Sequence, residues 1–181
     1  MSYIINTVKL KNDKDLILRK ATTEDAEKII EYLNLVGGES DNLLFGKDEI
    51  KISIDQEKSI IKAANSSNNN LMLLGIIDDI IVSVSNIFVP NRKRIVHNSE
   101  IAISVRKDYW NQGIGTAVMS ELINFAESNN IIKNITLGVN ATNFNAIKLY
   151  ENFGFVKIGC HKNYFNINGC YFDEILMDKQ L

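Results

Sequence analysis

The chain has 181 residues, 45% of them hydrophobic and 23% charged, with a formal net charge of −2. One domain of this size can bury a core without disulfides, and nothing in its mild acidity suggests the basic face of a general nucleic-acid binder. No window reaches the ~18 consecutive apolar residues of a membrane span, Met1-Ser2-Tyr3-Ile4-Ile5 lacks a signal peptide's basic start, and Cys160 and Cys170 are too few for a disulfide framework, so a cytoplasmic single domain over residues 1–181, binding neither nucleic acid nor membrane, is expected.

Leu16-Ile17-Leu18-Arg19 reads as a short strand. Thr22-Thr23-Glu24-Asp25 then looks like a helix start, with a capping hydroxyl and acidic residues in the first turn. Ala26, Ile29, Ile30 and Leu33 recur at helical spacing until Gly37-Gly38 ends the run. Asp41–Lys47 reads as a loop, Asp48–Ala64 as a second helix, and the polar run Asn65–Asn70 as another loop. Leu71–Ile77, Ile80–Val89 and Glu100–Val105 are rich in Ile, Val and Leu and make an antiparallel meander. Asp78-Asp79 fits its tight connection, and Pro90-Asn91 opens a longer one through the basic tip Arg92-Lys93-Arg94. Gly113–Ser128 is a helix with Ile114, Val118, Leu122 and Phe125 on one face, and Ile135–Val139 is a strand. In the next helix, Thr142–Phe153, Ala146, Ile147, Tyr150 and Phe153 recur at steps of three and four, and Gly154 occupies the left-handed C-cap position. Phe155–Ile158 and Cys170–Met177 close the chain as strands around an Asn166–Gly169 turn. The order β-α-α-β-β-β-α-β-α-β-β predicts an α+β fold with a mixed, mostly antiparallel central sheet flanked by helices.

The chemistry concentrates where the third meander strand ends. In Trp110-Asn111-Gln112-Gly113-Ile114-Gly115-Thr116, two glycines alternate as a long amphipathic helix begins. Unpaired amides at a helix start carry partial positive charge and bind phosphate oxygens, and glycine lets a phosphate approach the backbone. Asn111, Gln112 and Thr116 could add polar contacts. A Walker A loop is excluded because Thr116-Ala117 follows Gly115 instead of Lys-Ser/Thr. A dinucleotide fingerprint is excluded because Val118 stands where a small residue is required. On the glycines alone, tight helix packing is an equal explanation.

The stretch resembles the acetyl-CoA pyrophosphate loop of the GCN5-related N-acetyltransferase (GNAT) superfamily, Gln/Arg-x-x-Gly-x-Gly/Ala, with Gly113 and Gly115 on its glycine positions. Trp110 departs from the Gln or Arg of that pattern, as in the branch of ribosomal-protein and small-amine acetyltransferases. A second stretch, Asn143-Phe144-Asn145-Ala146-Ile147-Lys148-Leu149-Tyr150-Glu151-Asn152-Phe153-Gly154-Phe155, resembles the same superfamily's Asn-x-x-Ala-x-x-Leu-Tyr-x-x-x-Gly-Phe. The likeness covers about residues 70–177, while the first helices match only in order.

The resemblance implies direct attack of a primary amine on the thioester of acetyl-CoA. The amine could be a small amine, an amino acid or a protein N-terminus. The resemblance makes Tyr150 the general acid beside the cofactor sulfur and Glu100 the base, with Asp173 and Glu174 as rival carboxylates. Neighbouring strand residues point to opposite faces, so at most one of those two can face the amine. The resemblance also assigns the acetyl carbonyl and pantetheine amides to the main chain of Ile103 to Val105. It assigns the diphosphate to Asn111, Gln112, Gly113, Ile114, Gly115 and Thr116, and the pantetheine arm to Asn143, which reads equally as a helix N-cap. It places acceptor selection on the first two helices, the Asp41–Lys47 loop and the Arg92–His97 hairpin, where Glu39, Asp41, Asp48 and Glu49 could attract a cation. A homodimer follows from the same likeness. Cys160 and His161 are neighbours that diverge on a strand, so with Cys170 they make no zinc site and are expected in the core or hairpin, while His97 is expected at the surface. Two other classes stay open: a non-catalytic acyl-CoA-binding regulator on the same fold, and a nucleotide-binding module using the glycine loop for ATP.

Overall fold

The computed structural model describes residues 4–181, and one eight-stranded sheet runs through them in the order β1-β2-β3-β4-β5-β6-β8-β7. Its strands are β1 (Ile4–Lys9), β2 (Asp15–Lys20), β3 (Leu71–Ile77), β4 (Ile80–Phe88), β5 (Asn98–Val105), β6 (Asn134–Asn140), β7 (Val156–Ile167) and β8 (Cys170–Gln180). The helices are α1 (Ala26–Gly37), α2 (Ile54–Asn65), α3 (Ile114–Ser128) and α4 (Phe144–Asn152). All strand pairs are antiparallel except β5 with β6, which is parallel because α3 carries the chain across.

Two cores follow from the alternation of side chains along the strands. Leu71 and Leu73 of β3 face α3, joining Ile114, Val118 and Leu122, with Ile147 of α4 in the same cluster. Met72 and Leu74 face the other way, onto Ile29 and Val36 of α1 and Ile61 of α2. Strand β3 is therefore buried at every position, which explains its unbroken apolar run.

The structure differs from the sequence reading at three places. Strand β1 was not anticipated, and it is an edge strand exposed at nearly every residue, so it has no apolar face to announce it. Helix α2 begins at Ile54 rather than Asp48, and Asp48 has a left-handed φ of 58°. Ser53 starts it by accepting from the Gln56 amide (3.2 Å) while the Gln56 side chain accepts from the Ser53 amide (2.7 Å), a capping box. Strand β7 continues to Ile167 through an irregularity between His161 and Phe165, where Asn163 takes φ 54°. Among the described residues, no helix is long and apolar enough to cross a membrane, and no three His, Cys, Asp or Glu side chains gather as a metal site.

The junction of β2 and α1 is held by charge. Asp25 is 6% exposed and accepts from both terminal nitrogens of Arg19 at 2.7 Å, and from the Thr22 amide at 2.8 Å. Burial pushes the Asp25 carboxyl up, but the Arg19 and Thr22 hydrogen bonds outweigh it and hold the group below its ordinary range. Its stabilising contribution is thus complete above the unfolded value of about 3.9 and is lost as pH falls through the lower folded value. Asp25→Asn, which strands the Arg19 charge, is expected to cost roughly 3 kcal/mol in urea unfolding at pH 7; an unchanged midpoint contradicts this account of the junction.

Candidate functional site

The parallel pairing of β5 with β6 covers Asn98–Asn134, Ser99–Ile135 and Glu100–Thr136 and then stops. Beyond it, β5 pairs only with β4, as far as Val105, and β6 pairs only with β8, as far as Asn140. The two strands part into a wedge that opens toward their carboxyl ends. Backbone groups on the facing edges are left without strand partners, as a ligand strand would need. A crevice beyond the carboxyl ends of parallel strands is where open α/β sheets bind ligands. Ile103 and Val105 lie on the β5 side of this wedge.

The loop from β5 to α3 forms one lip. Trp110, at the position where the motif has Gln or Arg, donates from its indole nitrogen to the Val105 carbonyl at 2.7 Å, folding the loop back on the strand it leaves. Asn111 then adopts φ 62° and Gly113 φ 92°, and a Cβ at Gly113 would meet only open space. The first backbone bond of α3 runs from the Ala117 amide to the Gly113 carbonyl, and no side chain caps the helix. Among the described residues, the amides of Asn111, Gln112, Gly113, Ile114, Gly115 and Thr116 therefore have no acceptor, and α2 and α4, by contrast, are both capped. Such a row of donors at the positive end of a helix is a cradle for an anion. The side chains contribute less. Ile114 is 1% exposed within the core, and Gln112 donates to the Asp108 carbonyl (3.0 Å) and accepts from Asn12 (2.7 Å). Gly115 lets α3 lie against α4, where a Cβ would stand 3.2 Å from Leu149.

Helix α4 forms the other lip. Asn143 accepts from the Ala146 amide at 3.2 Å and so caps it. Tyr150, about two turns further along, is partly buried with its ring 6.0 Å from that of Phe155. Burial pushes its phenol up to about 12, and the hydroxyl has no hydrogen-bond partner among the described residues.

The opposite face of the sheet, which carries α1 and α2, is bare across the wedge. Glu100 and Ala102 of β5 and Gly138 of β6 are exposed there although both strands are central. Glu100 stands at the closed end of the wedge, about 17 Å of strand from Val105. The loop after α1 straps both lips: the Lys107 amide donates to Glu39 at 2.7 Å and Asn140 donates to the Asp41 carbonyl at 3.3 Å. Beyond the strap lies a cleft of ≈ 300 Å³ lined by Asp41, Phe45 and Glu49 on one side and Tyr164 and Asn166 of β7 on the other. The Arg92–His97 hairpin is absent from it because it precedes β5 and so lies at the closed end, where the His97 carbonyl accepts from Lys133.

The final hairpin holds what the sequence reading passed over. Cys160 and Cys170 are free and exposed. His161, however, lies 2.8 Å through Nδ1 from Oε2 of Glu174, and its ring stacks on Tyr164 at 5.4 Å. Asp173 points to the other face and pairs with Lys162 at 2.7 Å. The missed signal was cross-strand pairing, which requires the register of two strands that sequence spacing alone does not supply.

Residues 48–155, more than half of the chain, match the model of the Acetyltransferase (GNAT) family. The chain is 33% identical over 105 residues to the L-amino acid N-acetyltransferase AaaT of Escherichia coli K12, a match covering 58% of this chain and 65% of that one. It is 36% identical over 75 residues to the [ribosomal protein bS18]-alanine N-acetyltransferase of the same strain, across 41% of this chain and 50% of the relative. The chain thus spans between half and two thirds of the length of these two relatives. Among solved structures, a GNAT-family acetyltransferase from Streptococcus pneumoniae superposes with a TM-score of 0.88 at 30% identity, over 92% of this chain and 99% of that one. The parted strands, the uncapped glycine loop and these likenesses agree, and the chain belongs to the Acetyltransferase (GNAT) family.

Proposed function

We propose that this protein transfers an acetyl group from acetyl-CoA to a primary amine by direct attack. The observation that carries this reading is the wedge, with the unpaired amides of Asn111–Thr116 at its mouth. The diphosphate lies on those amides, and the pantetheine arm runs into the wedge as an added strand against Ile103–Val105, with Asn143 on its other side. The thioester then reaches the point where the exposed face opens at Ala102 and Gly138. An amine entering from the α1–α2 side meets the acetyl carbon there, while edge amides of β5 receive the charge that develops on the carbonyl oxygen.

The proton balance follows from the groups present. The ammonium gives up a proton to become a nucleophile, nitrogen bonds to the acetyl carbon, the carbon–sulfur bond breaks, and the new amide loses a second proton. The base is a carboxylate of the exposed face, where the resemblance supplies Glu100. Tyr150 serves the sulfur. Burial pushes its phenol up to about 12, so the hydroxyl keeps its proton until the sulfur leaves. It hydrogen-bonds the departing sulfur and acts as the general acid that the resemblance implies, and the second proton lost from nitrogen balances the one the thiolate takes up.

Tyr150→Phe is expected to lower kcat about 10- to 100-fold, the worth of one hydrogen bond to a charged group, with acetyl-CoA affinity unchanged by calorimetry. A protein that bound acetyl-CoA yet released no thiol with any amine would be an acyl-CoA sensor instead. Calorimetry is also expected to show binding of acetyl-CoA and none of ATP; preference for ATP ends the acyltransfer reading.

A further inference from the structure

We propose that Glu174 is the carboxylate that takes the acceptor's proton and that His161 is the positioning residue that aims it; the proposal rests on the acyltransfer reading. Glu174 is 6% exposed, on β8 next to β6. A Cβ added to Gly138 would run into its carboxylate, with Oε1 the nearest atom. Gly138 lies in the part of β6 that has left β5, so this oxygen overhangs the wedge where the thioester and the amine meet. The absence of a side chain at Gly138 is what makes room for it.

The two oxygens of Glu174 have different surroundings. Oε2 is held by His161 Nδ1 at 2.8 Å, and Oε1 has no hydrogen-bond partner among the described residues. Among the described residues, no Lys or Arg pairs with Glu174, and Asp173 and Lys162 are engaged with each other on the opposite face. A carboxylate this buried with a single neutral-or-cationic imidazole partner is a poor device for stability, since an apolar residue would fill the position without desolvation cost. It is a good device for receiving a proton: the free oxygen faces the reacting groups and the other fixes its direction. Glu100 sits on the same face at the closed end of the wedge, exposed to solvent.

In the proposed step an acceptor N–H bond breaks and its proton goes to Oε1 of Glu174, leaving the electron pair on nitrogen for the acetyl carbon. Donation from His161 Nδ1–H to Oε2 keeps the carboxylate over Gly138 throughout. The proton returns to solvent through the half-exposed imidazole side of the cleft, where His161 stacks on Tyr164, after the acetylated product leaves.

The test measures thiol release with the best amine of an acceptor screen, and acetyl-CoA affinity by calorimetry, in the full chain. Glu174→Gln is expected to lower kcat at least about 100-fold, the usual worth of a positioned base, with acetyl-CoA affinity unchanged. Formate is expected to restore part of the activity of Glu174→Ala, which no merely structural role would allow. His161→Asn, whose amide can donate from the place of Nδ1, is expected to keep most of the activity that His161→Ala loses. Near-normal turnover in Glu174→Gln, with the large loss falling on Glu100→Gln, overturns the proposal and leaves acyltransfer standing. Wild-type protein that transfers to no amine sinks the acyltransfer reading, and this assignment with it. Should Glu174→Gln fail to fold, the His161 pair decides: equal activity of His161→Asn and His161→Ala overturns the proposal.

Discussion

Three residue pairs of parallel sheet, and no more, determine what this molecule can do. Backbone amides and carbonyls in a sheet interior are normally all paired, because an unpaired buried group costs free energy. Here β5 and β6 stay together from Asn98 to Glu100 and then separate, while each keeps its other neighbour. The separation leaves polar strand edges open to solvent, which a ligand with amides of its own can pair as an added strand would. It also sets two helix starts, α3 and α4, at either side of one opening. Pairing the strands to their ends would bury the edges and close the site at once.

The two lips are built differently, for a physical reason. Helix α4 satisfies its own start through Asn143, so that lip is finished without a ligand. Helix α3 is not satisfied: its loop is pinned at Trp110 and turned by left-handed Asn111 and Gly113, and six amides have no acceptor among the described residues. The unmet backbone donors among the described residues thus gather at the positive end of α3, where the physical case for an anion is strongest. The departure at Trp110 fits the same logic, because the indole's part is to fasten the loop to Val105, and main-chain donors do not depend on the side chain there.

Much of this was legible in the sequence. The glycine alternation at Gly113 and Gly115 and the stretch from Asn143 to Phe155 are local patterns, and local patterns survive in a one-dimensional reading. The meander and helices α1, α3 and α4 announced themselves through apolar periodicity, whereas β1 did not because an exposed edge strand has none. The start of α2 was misplaced although its signal, Ser53 followed by Gln56, was present; acidic Asp48 and Glu49 imitate a helix start. The relations that were not legible are long-range. The Arg92–His97 connection was expected beside the acceptor, yet the direction of β5 carries it to the far end. Asp173 and Glu174 were distinguishable only as a pair facing opposite ways; the register with β7 and the missing side chain at Gly138 separate them.

The most direct measurement of the central claim is an amide NMR titration of the ¹⁵N-labelled protein with coenzyme A. The account predicts that the largest shifts fall on the amides from Asn111 to Thr116, followed by those of Ile101 to Val105 on the open edge of β5. Saturable binding with those amides unmoved, and the shifts gathered elsewhere on the sheet, would contradict it.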